Sequence, residues 1–260
     1  MDRTGISGRT AVVTGAARGI GATVAHALGE LGATVAAVDV DAEGLDELAA
    51  AAQAKQRRML ACPADVADAY AARAAVRRAE DEAGPVDILV NVAGVLHPGK
   101  VAELSDADWH RTFAVNTNGV FHMCRAAAEL MIPRSRGAIV TVGSNAAGVP
   151  RQGMAAYGAS KAAATLFTKS LGLELAEHGI RCNVVSPGST DTPMQHALWD
   201  QQGAAAVIAG SPETFKTGIP LGKLATAEDI AEAVVFLVSE QAGHITMHDL
   251  YVDGGATLRA

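Results

Sequence analysis

A doubly wound α/β architecture is what this 260-residue sequence predicts, with a seven-stranded parallel sheet, helices on both faces and a small helical lid. Three observations lead there. Short apolar runs rich in β-branched residues alternate with longer stretches of helical periodicity along the chain, and that alternation implies right-handed crossovers between parallel strands. A glycine-rich turn, Thr14-Gly15-Ala16-Ala17-Arg18-Gly19-Ile20-Gly21, joins the first apolar run to the first helical stretch. No linker, repeat or low-complexity tract divides residues 1–260, so one domain is expected, and 49% apolar composition suffices for its core.

The first strand is expected at 10–14, followed by a helix at 20–31, a second strand at 34–39 and an Ala/Leu-rich helix at 42–55. A weaker third strand covers 58–62, and a third helix runs over 67–83 until Gly84-Pro85 stops it. The fourth strand is placed at 87–90. Ser105-x-x-Asp108 reads as a helix start, because a serine side chain can accept the N–H three residues on. The helical pattern then continues to Met131 with a break near Gly119. A fifth strand at 138–142, a long helix at 155–177 and a sixth strand at 181–185 come next. Thr226-x-x-Asp229 opens a helix to about 238, and 250–252 forms the last strand before Asp253-Gly254-Gly255. Residues 192–222 fit none of this alternation. Their amphipathic pieces, punctuated by Gly203, Gly210, Pro212, Gly218 and Pro220, predict a helical lid over the carboxyl ends of the strands, where such sheets bind ligands.

Composition excludes several classes of function. The net charge is −7, and no Lys/Arg cluster stands out, which argues against a nucleic-acid or anionic-membrane surface. Cys62, Cys124 and Cys182 are far apart and odd in number, the pattern of reduced core residues in a cytoplasmic protein. No apolar targeting segment or run of about 18 apolar residues suggests export or membrane insertion. Among eight histidines only His244 and His248 have suggestive spacing, and their segment is β-prone and close to a turn, so no metal site is expected.

The glycine turn follows a strand and precedes a helix, where Gly15, Gly19 and Gly21 let the backbone approach a pyrophosphate and the helix N-terminus favours its charge. Its spacing is G-x-x-x-G-x-G, with Arg18 and Ile20 between the glycines. Asp39 ends the second strand, 18 positions beyond Gly21; a carboxylate there accepts from an adenosine ribose and repels a 2′-phosphate, favouring NAD over NADP. Arg18 is the contrary signal, since it could pair with that phosphate. Tyr157 and Lys161 stand four residues apart on the long helix, which stacks a phenol and an ammonium on one face. A nearby cation favours phenolate, so the pair reads as a device for moving a proton. Ser144, just past the fifth strand, lies at the carboxyl edge of the sheet, where it could orient a substrate hydroxyl.

The glycine turn, Asp65-Val66, Asn91-Val92-Ala93-Gly94, Asn116, Ser144, Tyr157/Lys161 and Pro187-Gly188 occur in an order and approximate spacing that resemble the short-chain dehydrogenase/reductases over the full length of the chain. Many members read N-N-A-G where this chain has Val92. The resemblance implies a Rossmann fold and a catalytic set of Asn116, Ser144, Tyr157 and Lys161. It implies that Asp65 and Val66 flank the adenine, that Asn91 supports the central sheet beside Ala93 and Gly94, and that Pro187, Gly188, Thr190 and Thr192 lie along the cofactor. It also implies that Asn116 holds a water connecting Lys161 to solvent, and that the protein is a homotetramer.

A narrower resemblance is carried by 181–192, by Phe215-Lys216-Thr217-Gly218-Ile219-Pro220-Leu221, and by His244-Ile245-Thr246 followed by Val252-Asp253-Gly254-Gly255. These segments look like the 2,3-dihydro-2,3-dihydroxybenzoate dehydrogenases of catecholate-siderophore pathways. The implied reaction is NAD-dependent oxidation of a cyclohexadiene diol acid, whose ketone tautomerises to a catechol. A carboxylic acid substrate calls for a cation. Arg151 is the first choice because a guanidinium binds carboxylates bidentately, Lys216 is the second, and Met154 could pack on the ring. The resemblance implies an arginine where His97 stands, which leaves room for the related 2,3-dihydro-3-hydroxyanthranilate. The remaining alternatives are an NADPH-dependent 3-oxoacyl-carrier-protein reductase, which Asp39 opposes, and a non-catalytic dinucleotide-binding scaffold, which the intact catalytic set opposes.

Overall fold

The computed structural model of the chain describes residues 3–197 and 203–258. Seven strands form one sheet: β1 (Thr10–Thr14), β2 (Thr34–Asp39), β3 (Met59–Pro63), β4 (Val86–Asn91), β5 (Gly137–Val142), β6 (Ile180–Pro187) and β7 (Asp249–Val252). Their spatial order is β3-β2-β1-β4-β5-β6-β7, and every neighbouring pair is parallel. The chain winds outward from β1 to β3 and then returns to lay β4 on the other side of β1. At that reversal the crossovers leave on opposite faces, and a crevice opens at the carboxyl ends of the strands.

The helices are α1 (Gly19–Glu30), α2 (Ala42–Ala54), α3 (Ala69–Ala83), α4 (Asp106–Phe113), α5 (Val120–Met131), α6 (Ala155–Leu175), α7 (Pro193–His196), α8 (Gly203–Ala209) and α9 (Ala227–Val238). Successive strand side chains point to opposite faces, so β1 alone feeds two cores. Ala11 and Val13 pack with Val24, Leu28, Leu45, Ile230 and Val234 beneath α1, α2 and α9. Val12 packs with Val76, Met123, Met131 and Ala164 beneath α3, α5 and α6. Each fully buried Val or Leu is worth roughly 2 kcal/mol of transfer free energy. A polar residue at Val12 would therefore damage one core and leave the other intact.

Helix ends follow local hydrogen bonds. Asp41 accepts from the Gly44 N–H at 3.1 Å to start α2. Asp68 accepts from the Tyr70 and Ala71 N–H groups at 2.8 and 3.2 Å, which starts α3 two residues later than the sequence suggests, while the Ala67 N–H goes to Asp65 Oδ1 at 2.9 Å. Thr226 and Asp229 form a reciprocal box at the start of α9, at 2.9 and 3.1 Å. The expected break near Gly119 is instead a π-helical turn, Ala114–Gly119, so α4 runs into α5 through a widened turn. The long helix ends at Leu175 and continues as one 3-10 turn, Ala176–His178. Of the expected lid, α7, α8 and a 3-10 turn at Pro212–Thr214 are seen; residues 198–202 lie outside the described residues.

Cys62, Cys124 and Cys182 are buried and unpaired. Among the described residues no helix is long and apolar enough to cross a membrane, and no cluster of side chains could hold a metal ion.

Candidate active site

A cleft of about 770 Å³ lies at the carboxyl ends of the strands. At one end the glycine turn is pressed against the exit of β4. Gly15 has φ +65, and a Cβ there would lie 2.8 Å from the Ala93 N and Cα, while a Cβ on Gly21 would collide with the Gly15 carbonyl. Thr14 Oγ1 fastens the same contact by accepting from the Val92 and Ala93 N–H groups at 3.0 and 3.1 Å. Only a side-chain-free turn fits here, and it leaves the N-terminus of α1 open to the cleft, a cradle that suits a pyrophosphate.

Asp39 is held at the end of β2 by two backbone donors, the Ala17 N–H at 3.1 Å and the Asp41 N–H at 3.1 Å. A carboxylate offers about four lone-pair sites, so it retains acceptors for a ribose. Arg18 is 69% exposed and only loosely paired, 3.9 Å from Asp41. Asp65 and Val66 line the cleft farther along. Burial raises the Asp65 carboxyl, but the Ala67 N–H and the Arg111 guanidinium, at 3.0 Å, outweigh it and hold the group below its ordinary range. Arg111 itself lines the cleft and went unnoticed in the sequence. Its position one turn beyond Asp108 on α4 was the available signal.

Ser144 stands two residues past the end of β5; its hydroxyl accepts from the Ala146 N–H at 3.1 Å, which fixes it at the start of a 3-10 turn, Asn145–Ala147. Tyr157 and Lys161 occupy the first two turns of α6, and the Lys161 Nζ lies 5.8 Å from the Tyr157 ring centre. Burial raises the Tyr157 phenol above its ordinary value, and the adjacent Ser144 hydroxyl partly offsets this. Burial pushes the Lys161 ammonium down to about 8, and it donates to the Val142 carbonyl at 2.8 Å. Lys161 is directed to the end of β5, and Ser144 is the phenol's polar neighbour.

Two expected site residues stand back from the cleft. Asn116 is fully buried in the π-helical turn, where its amide accepts from the Val95 N–H at 2.8 Å and donates to the Val95 carbonyl at 2.9 Å and Ser160 Oγ at 3.0 Å. It clamps the chain leaving β4 to α6. Asn116 Oδ1 and Lys161 Nζ also flank the same residue, at 3.4 and 3.5 Å from where a Cβ of Gly94 would lie. Asn91, grouped by the resemblance with the cofactor-lining Ala93 and Gly94, is a sheet residue and lines no part of the cleft. Its side chain donates to Cys124 Sγ at 3.2 Å and Thr141 Oγ1 at 3.4 Å and does not reach the cleft. The reason is strand alternation: at the end of β4 the side chain points into the layer beneath α5.

The other end of the cleft is built from two loops. The Gly99 N–H donates to the Gly153 carbonyl at 2.9 Å, and Gly99 pairs with Met154 as an isolated parallel bridge, so the loop carrying His97 is fastened to the loop carrying Arg151. His97, Arg151 and Met154 all line the cleft, as does Lys216, which projects from a tight turn closed by the Ser211–Lys216 bridge. The Arg151 guanidinium has no hydrogen bond or ion pair among the described residues. Burial lowers its pKa, and the more distant Asp253 partly offsets this. Pro187, Gly188, Thr190 and Thr192 line the floor between the two ends.

This arrangement has known counterparts. The family described as short chain dehydrogenase matches residues 9–203. The chain belongs to that family. It is therefore an oxidoreductase acting on a hydroxyl group. A 2,3-dihydro-2,3-dihydroxybenzoate dehydrogenase of Bacillus subtilis (strain 168) is 60% identical over 259 residues, 99% of this chain and 99% of its own. An enzyme of the same name from Escherichia coli (strain K12) is 47% identical, over 98% of this chain and 99% of its own. A solved structure of 7α-hydroxysteroid dehydrogenase, complexed with NADH and 7-oxo glycochenodeoxycholic acid, superimposes with a TM-score of 0.92 at 29% identity, over 99% of this chain and 98% of that one. The family's cofactor is a nicotinamide dinucleotide, and the side-chain-free cradle at Gly15 and Gly21 fits its pyrophosphate.

Proposed function

We propose that this enzyme uses NAD to oxidise 2,3-dihydro-2,3-dihydroxybenzoate to 2,3-dihydroxybenzoate, as a step towards a catecholate siderophore. The observation that supports this most is Arg151: a half-buried guanidinium without a hydrogen bond or ion pair among the described residues, lining the same cleft as Ser144, Tyr157 and Lys161. A desolvated cation without a partner is costly, and a substrate carboxylate supplies the bidentate partner that guanidinium geometry suits. The names of the similar enzymes from Bacillus subtilis and Escherichia coli support the same substrate.

In this reading Gly15, Gly19, Gly21 and Ile20 hold the pyrophosphate, and Arg18, Asp39, Asp65 and Val66 surround the adenosine. Ala93, Gly94, Pro187, Gly188, Thr190 and Thr192 bound the nicotinamide half. Asp39, held in position by two backbone donors, selects NAD by repelling a 2′-phosphate. When bound, the dinucleotide supplies the hydride acceptor. Ser144 orients the reacting hydroxyl, Tyr157 Oη takes its proton, and Lys161 holds the ribose side of the site. Asn116 positions Lys161 by fixing the chain on either side of Gly94. Arg151 and Met154 hold the acid and the ring, with Lys216 above them. The functional unit in this reading is a cytoplasmic homotetramer. The deciding assay follows absorbance of reduced nicotinamide after mixing enzyme, NAD and the dihydrodiol acid. Formation of NADH with the catechol acid supports the assignment, and NAD binding without turnover of this acid overturns it.

A further inference from the structure

We propose that His97 reads the second, non-reacting hydroxyl of the substrate, accepting its hydrogen bond at Nε2 and so selecting a vicinal diol over a single alcohol. The inference deepens the diol-acid reading and rests on it for the placement of the other two substituents.

The state of the ring follows from its neighbours. Thr112 is fully buried on α4, and its Oγ1 lies 2.7 Å from the Asp108 carbonyl oxygen. Two oxygens at that distance need a proton between them, and the threonine supplies it. A hydroxyl has one proton, so towards His97 Nδ1, 3.0 Å away, Thr112 presents only a lone pair. Nδ1 must therefore carry the hydrogen, which leaves Nε2 of the neutral ring bare. Asp108 Oδ1 lies 3.9 Å from that nitrogen; it is too far for a hydrogen bond and, being a carboxylate oxygen, has no proton to give. Nε2 is thus an acceptor waiting for a donor.

Its location supplies the donor. His97 lines the cleft with 34% of its side chain exposed, and the Gly99–Met154 bridge holds its loop against that of Arg151. With the reacting hydroxyl at Ser144 and Tyr157 and the carboxylate at Arg151, the polar group left over on a dihydrodiol acid is the neighbouring hydroxyl. A carboxylate would meet Nε2 lone pair to lone pair, so this tautomer turns an acid group away from His97 and towards Arg151. A site that hydrogen-bonds a substrate hydroxyl rejects the analogue lacking it, because its own polar group is then left unpaired.

Two measurements test this. Long-range ¹H–¹⁵N correlation spectra of the histidine-labelled protein, assigned by loss of one signal in His97→Phe, report which nitrogen bears the proton; Nδ1–H is expected, and Nε2–H overturns the proposal. The second compares kcat/KM for 2,3-dihydroxycyclohexane-1-carboxylate with that for 3-hydroxycyclohexane-1-carboxylate. The wild type should favour the diol by about tenfold, the scale of one hydrogen bond. His97→Phe should bring the ratio near one and leave the preference for acids over their carboxamides unchanged. Thr112→Val, which removes the lock without changing shape, should lower the ratio part of the way. A diol preference that survives His97→Phe, or a lost acid preference in its place, overturns the assignment. If the wild type turns over neither these acids nor 2,3-dihydro-2,3-dihydroxybenzoate itself, the substrate reading fails; the spectra and the uncharged pair cyclohexane-1,2-diol and cyclohexanol then decide the role of His97 separately.

Discussion

Replacing Lys161 by methionine should abolish turnover and stabilise the fold. Lys161 is 5% exposed, and burial alone moves its ammonium from an ordinary 10.5 to about 8. At about 1.4 kcal/mol per tenfold change in protonation, keeping the charge inside costs about 3 kcal/mol. Methionine has a similar shape and no charge. It forfeits the charge-assisted hydrogen bond to the Val142 carbonyl at 2.8 Å, worth about 2 kcal/mol. The variant, without cofactor, should therefore be more stable than wild type by about 1 kcal/mol at pH 7. Below pH 8 the lysine is charged in both folded and unfolded chains, and its cost is present in full. Between about 8 and 10.5 the folded chain releases the proton while the unfolded chain keeps it, so wild-type stability rises with pH and the gap closes. Urea unfolding at one fixed subunit concentration, at pH 7 and pH 10, reads both effects. A variant less stable than wild type at pH 7, or a gap that does not narrow towards pH 10, would refute the reasoning.

Tyr157→Phe removes the phenolic oxygen while keeping the ring, so turnover should fall by about a thousandfold with NAD affinity unchanged by titration calorimetry; near-normal turnover would remove its role as base. Arg151→Ala should raise KM for the acid substrate far more than for an uncharged cyclic alcohol, and equal effects would end the carboxylate assignment. Asp39→Asn keeps an oxygen for the Ala17 N–H but drops the charge; the ratio of kcat/KM for NAD over NADP should fall at least about tenfold, and an unchanged ratio would place cofactor selection elsewhere. Arg111→Ala frees the Asp65 carboxylate, so KM for NAD should rise several-fold with kcat unchanged, and equal KM values would leave the pair a surface contact.

What could be read in the sequence was what periodicity and backbone sterics dictate. The strands, the cradle at Gly15 and Gly21, and the caps at Ser105 and Thr226 are local consequences of residue type, and the structure contains each of them. Direction was harder to read. Asn91 and Ala93 are two positions apart in one motif, yet the first is drawn into the sheet by Cys124 and Thr141 and only the second lines the cleft. The turn at 114–119 has a π-helical path that no composition signal marks, because its widened register depends on the Asn116 clamp across to Val95 and Ser160. Arg111 was silent because its partner, Asp65, lies in another crossover. The contact that orients the His97 ring is long-range too, made with a threonine 15 residues away.

Burial acts on the two reacting-end groups in opposite directions, raising the Tyr157 phenol and lowering the Lys161 ammonium, so both shifts favour neutral forms. The Ser144 hydroxyl only partly relieves the tyrosine, and the lysine faces Val142. Taken alone, the protein thus holds Tyr157 as the neutral phenol, with little phenolate present. For a simple alcohol that is a handicap, since oxidation must release a proton against an unfavourable equilibrium. For a cyclohexadiene diol it is not, because the ketone first formed tautomerises to an aromatic ring and the product is removed from the reverse reaction. Positioning is what the fold supplies here: Ser144 is fixed by a backbone N–H, Lys161 by a backbone carbonyl, and the two substrate loops by the bridge between Gly99 and Met154.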